Sequence, residues 1–147
     1  MTQLSGEERY PQPRSEIWSR LTDAEFVATC LPRLERVEAD DEAFLVCRVR
    51  PGLAFLKGAI TASFDAHDRQ PPESLQMRIH SKGIGSSAVV ETSIELDEVD
   101  GGTRLSWSAD IVELGGLLKP VSRGLIEAAA RTVIADGWAR FRERLSS

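Results

Sequence analysis

The chain has 147 residues, with 23 acids against 18 lysines and arginines and a formal net charge of −5. That length suits one domain spanning residues 1–147 with a single shared core, and that charge argues against nucleic acid, whose phosphates demand concentrated positive charge. No apolar run approaches the roughly 20 residues that cross a bilayer and no basic stretch leads into one at the start, so a soluble, cytoplasmic protein is expected.

Taken in chain order, Leu4, Gly6, Glu8 and Tyr10 alternate with Ser5, Glu7 and Arg9, a strand pattern stopped by Pro11 and Pro13. Two short helices follow. Pro13 precedes "RSEIWSRL", and Asp23 is placed to cap "AEFVATCL" before Pro32 ends it. From Leu34 the period changes to two. "LERVEAD" and "EAFLVCRVR" read as a hairpin across Asp40 to Glu42, then "GAITASFDAH", "SLQMRIHSK", "SAVVETSIELDEV" and "TRLSWSADIVEL" continue as strands. Cys30 and Cys47 lie in apolar settings and read as buried thiols in a reducing compartment. In the closing stretch from Glu113 to Leu145 a long helix reads as beginning at the glycine pair Gly115–Gly116. On it Ile126, Ala130, Val133, Ile134, Gly137, Trp138, Phe141 and Leu145 share a face.

The order of strand, two short helices, about six strands and a long helix predicts an α+β domain whose antiparallel sheet is covered by that helix. Ala129, Ala130 and Gly137 are too small to fill the space above a curved sheet. Two readings stay open at this point: a fully packed core, or an apolar hollow of the kind that takes a ligand. Parity places Phe26, Leu45, Ile60, Phe64, Met77, Ile79, Val90, Thr92, Ile94, Trp107, Ala109, Leu118, Leu125, Ile126, Ala129, Ala130 and Val133 around such a hollow. Thr92 or Ser81 would orient the ligand there.

Catalytic and metal chemistry find little footing. His80 sits on the arginine and lysine side of its strand, and His67 lies among Asp65, Asp68 and Arg69, so both read as solvated. The two cysteines and two histidines lack metal-ligand spacing, and no cofactor is expected. "GIGSSA" at Gly83 to Ala88 matches a dinucleotide-binding glycine pattern, but it leads into a strand where that motif must open a helix, so it reads as a turn. Glu8 falls on the inner side of its strand and is expected to pair with an arginine, as buried charges do. Arg140, Arg142 and Arg144 suit the negative end of a helix dipole.

Four short features carry a family resemblance over nearly the whole chain. They are Asp23 followed by a helix and Cys30 to Pro32; Phe55, Lys57 and Gly58; the Gly101 to Thr103 turn; and Gly115 ahead of the last helix. In this order they resemble the CoxG proteins, named for the G subunit of carbon monoxide dehydrogenase, within the START and birch-pollen-allergen-like (SRPBCC) superfamily. Arg33 and the Trp138–Ala139 pair depart from the pattern, where the family has a glycine and paired aromatics. The resemblance implies a helix-grip fold: a curved seven-stranded antiparallel sheet wrapped around the C-terminal helix, with two short helices after strand 1. It further implies non-enzymatic binding of a lipid, quinone or similar apolar molecule, and an accessory role beside a CO dehydrogenase-type oxidoreductase. Two alternatives stand beside it: a polyketide cyclase or dehydratase using the same cavity, and a ligand-free protein-interaction module. The chain stops at Ser147 without the membrane-suited extension of several family members. No anchor is therefore expected, and peripheral membrane contact is left open.

Overall fold

The computed structural model describes residues 2–31, 33–41, 44–50 and 58–146. The elements run β1 (Thr2–Tyr10), α1 (Arg14–Leu21), α2 (Ala24–Thr29), β2 (Leu34–Asp41), β3 (Phe44–Val49), β4 (Ile60–Gln70), β5 (Ser74–Gly83), β6 (Ser86–Val99), β7 (Gly102–Gly116) and α3 (Arg123–Leu145). The α+β helix-grip expectation holds. The hairpin residues Glu42 and Ala43, like Pro32, Phe55 and Lys57 of the family-like features, lie outside the described residues.

Local chemistry explains most boundaries. Pro13 stands at the cap of α1 in an extended conformation, where its missing N–H costs nothing. The Asp23 carboxylate accepts from the backbone N–H groups of Glu25 at 3.1 Å and Phe26 at 3.4 Å, satisfying two otherwise orphaned donors at the start of α2. The expected helix start at the Gly115–Gly116 pair is corrected: β7 continues through Gly116, and α3 begins only at Arg123. Gly115 and Gly116 pair with Ser87 and Ser86, so the sheet claims them. Gly116, at φ +60°, then turns the chain where a Cβ would meet the Gly85 carbonyl oxygen at 1.9 Å. Pro120 bars an earlier helix, and the Ser122 hydroxyl caps α3 through the Leu125 N–H at 3.4 Å.

The strands form one antiparallel sheet in the order β1-β7-β6-β5-β4-β3-β2. Its outer face is polar and solvated, with Arg78 donating to Glu91 at 2.6 Å and Ser93 to the Gln76 side-chain oxygen at 2.7 Å. The inner face carries the core, and that core is divided. One cluster gathers Tyr10, Ile17, Leu21, Cys30, Leu75, Ile94, Leu96, Leu105 and Phe141 where α1, α2 and the end of α3 meet the sheet. A second joins Ile60, Ile111, Leu118 and Ile126 at the start of α3. A third seats Ala28 of α2 on Leu45 and Cys47 of β3. Both cysteines are buried thiols outside any disulfide, as expected.

Candidate functional site

Cross-strand register fixes what lies between those clusters. Phe64 faces Ile79, and Ile79 faces Val90; one step along, Ala66 faces Met77, and Met77 faces Thr92. Alternation puts all six on the inner face with the buried Leu75 and Ile94, yet each is only half-buried. These are central positions of a seven-stranded sheet beneath a helix, where close packing would bury them fully. The middle of the inner face is thus less fully covered than Leu75 and Ile94 beside it.

The helix opposite tells the same story. Ile126 and Phe141 are the two buried residues of α3, one at each end. Between them Ala129, Ala130, Ile134 and Gly137 are half-buried and Val133 is 40% exposed. Gly137 lies on the inward face between Ala130 and Phe141, and a Cβ built there would meet nothing within 4 Å. The helix is held at its ends. Phe141 packs edge-on against Tyr10, Phe26 and Trp138 at centroid distances of 5.6, 5.7 and 5.7 Å. Arg142 donates to the Arg9 carbonyl at 2.7 Å and to the Glu8 carboxylate at 3.2 Å, with its guanidinium 4.6 Å from the centre of the Tyr10 ring. Glu8 thus has the arginine partner its parity demanded.

The sequence-derived lining residues divide accordingly. Phe64, Met77, Ile79, Val90 and Thr92 are half-buried on the inner face, with Met77 packed against the first cluster, Val90 against the second and Phe64 against the third, while Leu45, Ile60, Ile94, Ala109, Leu118 and Ile126 are buried. Phe26 and Trp107 lean on the first cluster, and Ala130 on the second. Ala129 stays half-buried on α3. Leu125 is corrected to a surface position: it is 49% exposed, because one residue before Ile126 it lies about 100° round the helix. Ser81 is half-buried on the inner side, at the edge of this group. Three further residues shape the lining without standing out in the sequence. Ala66 shares the parity of Phe64 and is legible from it; Gly137 falls on the inner helical face by periodicity, which does not show that its Cβ position is uncrowded. Gly6 gives no signal: the Trp107 indole lies across it, so a Cβ there would come within 2.6 Å of Trp107 Cζ2.

Electrostatically the hollow is quiet. Burial raises the Tyr10 phenol well above its ordinary value, the neighbouring Glu8 carboxylate pushing the same way and Arg142 opposing, and burial likewise raises the Cys30 thiol. Both stay protonated at neutral pH. His67 and His80 are exposed on the outer face; His67 lies 3.2 Å from Asp68 and 3.8 Å from Glu91, partners its sequence neighbourhood only half disclosed. No group of metal-ligating side chains occurs among the described residues, and no described helix is long and apolar enough to cross a membrane.

Solved structures share this architecture. A conserved protein from Geobacillus kaustophilus superposes with a TM-score of 0.88 at 20% identity, over 99% of this chain and 95% of its own. A protein from Rhizobium leguminosarum gives 0.72 at 14% identity, over 99% and 94%. DynU16, described as a putative protein in the dynemicin biosynthetic locus, gives 0.63 at 16% identity, over 99% of this chain but 47% of its own. At these identities the likeness is one of fold. No curated protein matches the sequence. Residues 6–146, however, match the CoxG family, described as the G subunit of carbon monoxide dehydrogenase, and the chain belongs to that family.

Proposed function

We propose that this protein is a carrier that holds an uncharged apolar molecule, a lipid, a quinone or a compound of similar character, between the inner face of its sheet and α3. We further propose that it serves a CO dehydrogenase-type oxidoreductase as an accessory. One observation carries the first part. The six inward-facing residues Phe64, Ala66, Met77, Ile79, Val90 and Thr92 are half-buried where a packed core would cover them fully, and a Cβ at Gly137 on α3 would meet nothing within 4 Å. Covering those six residues with an apolar ligand would contribute on the order of 25 cal/mol for each Å² removed from water, and Thr92 supplies a hydroxyl for orientation. Family membership supports the accessory role.

The charge pattern favours a neutral cargo. Glu8, the carboxylate that parity turns inward on β1, is already engaged by Arg142. A cyclase reading needs an acid and a base facing the substrate, and among the described residues both histidines lie on the outer face. Native mass spectrometry of gently purified protein tests the proposal: a bound species lost on organic extraction is expected, and extracted protein should then take up the neutral dye N-phenyl-naphthylamine. Protein that carries nothing and takes up no dye would refute it. Co-purification with a molybdenum-containing oxidase tests the accessory role separately.

A further inference from the structure

The corner of the sheet where β2 begins and β3 ends is built against its own charge. Leu34, Leu45, Cys47 and Val49 pack inward on the third cluster, so alternation turns Arg48 and Arg50 to the outer face. Arg36 lies directly opposite Arg48 in the cross-strand register, a like-charge pair that works against strand association. Beside them the Arg50 N–H donates to the Arg33 carbonyl at 3.1 Å, which brings a second pair of arginines together at the open end of the hairpin. Arg33 itself is held at φ +56°, a left-handed conformation that glycine adopts freely and arginine does not. Where neighbouring positions each depart from their local preference, function is the usual reason.

Four guanidiniums share two carboxylates here, on a chain in which acids outnumber bases. Glu35 serves Arg48, at 3.7 Å, and Arg50 together, and Glu38 lies 3.5 Å from Arg36. Arg33 is exposed and pairs with no carboxylate among the described residues. The side chains of Arg36 and Arg50 are 65% and 58% exposed, so most of each cation faces water. Asp40 and Asp41 stand at the opposite end of β2. Arginine at all four positions suits carboxylates, which a guanidinium holds through parallel N–H donors, and Glu35 already displays the arrangement by bridging two of them. A lipid surface fits less well, because Val37, the exposed aliphatic side chain of β2, stands opposite Cys47 on the other face. Nucleic acid repels a chain of net charge −5.

We infer that Arg33, Arg36, Arg48 and Arg50 form a docking site for an acidic segment of a partner protein, whose carboxylates relieve the repulsion that the folded hairpin retains. The site lies on the outer face of the sheet and does not depend on what the hollow holds. Fluorescence anisotropy at low salt with fluorescein-labelled decaglutamate tests it, beside a labelled single-stranded DNA decamer. The peptide is expected to bind more tightly than the DNA and to be released by salt. Arg36→Gln and Arg33→Gly should each weaken peptide binding about threefold, and Arg131→Gln, a change to an exposed cation of α3, should leave it as it is. Arg33→Gly should at the same time raise the melting temperature, because glycine meets no steric penalty at φ +56°. An arginine kept for stability alone would show the opposite. Absence of peptide binding, binding that neither arginine variant weakens, or equal binding of the DNA overturns the inference. So does a dimer in sedimentation that Arg36→Gln dissolves, since the acids would then come from a second copy of this chain.

Discussion

Replacing Gly137 is the sharpest probe of the hollow, because stability and binding should move in opposite directions. A glycine inside a helix costs about 0.8–1.0 kcal/mol relative to alanine, and nothing lies within 4 Å of a Cβ at this position to oppose the change. Gly137→Ala is therefore expected to stabilise the protein by about 1 kcal/mol. Gly137→Leu keeps that gain and adds a side chain worth about 1.5–3 kcal/mol when fully buried. In a half-open hollow roughly half of that is realised, so the total is about 2 kcal/mol. For a domain of this length each kcal/mol raises Tm by about 2–4 °C, giving a rise of about 4–8 °C. The assay is thermal unfolding by circular dichroism on protein stripped of bound small molecules, paired with N-phenyl-naphthylamine uptake. Leucine should raise the melting temperature and reduce dye binding together. If Gly137→Leu is instead destabilising by about 1–3 kcal/mol, the cost of overpacking a filled core, the space is closed and the carrier reading fails.

Phe141→Ala removes the ring on which Tyr10, Phe26 and Trp138 converge, and should cost about 3–5 kcal/mol in urea unfolding, a large share of the whole stability. Arg142→Met keeps the apolar stem but loses the bonds to Glu8 and the Arg9 carbonyl; the pair is partly exposed, so about 1 kcal/mol is expected. Adding Glu8→Gln to Arg142→Met should cost less than the sum of the two single changes in a double-mutant cycle. Burial raises the Cys30 thiol, so the folded state holds its proton longer than the unfolded state does. Its contribution is complete below the ordinary thiol range and is lost as pH climbs toward the raised folded value. Urea midpoints measured against pH should thus fall more steeply at alkaline pH for the parent than for Cys30→Ala, and equal slopes would contradict this origin.

Strand alternation makes much of this architecture readable beforehand. Leu75, Met77 and Ile79 announce an inner face that β5 indeed presents, and Pro13 and Asp23 mark the starts of α1 and α2. The difference at the Gly115–Gly116 pair has a definite physical origin. Residues 113–116 have no strong helical or strand preference of their own, and their fate is settled by hydrogen bonds to residues 86–89 on β6. Leu125 departs from expectation for a related reason: both it and Ile126 are apolar, and only the docked orientation of α3 selects which one is covered.

What the sequence determined by itself is the set of elements and the side of each that turns inward, since periods of two and of 3.6 residues follow from backbone geometry alone. Whether that inner side closes could not be read the same way. Small residues on α3 permit either a close approach or a gap. The choice fell to the anchoring of the helix at Ile126 and Phe141, which leaves Gly137 facing empty space above half-covered strands.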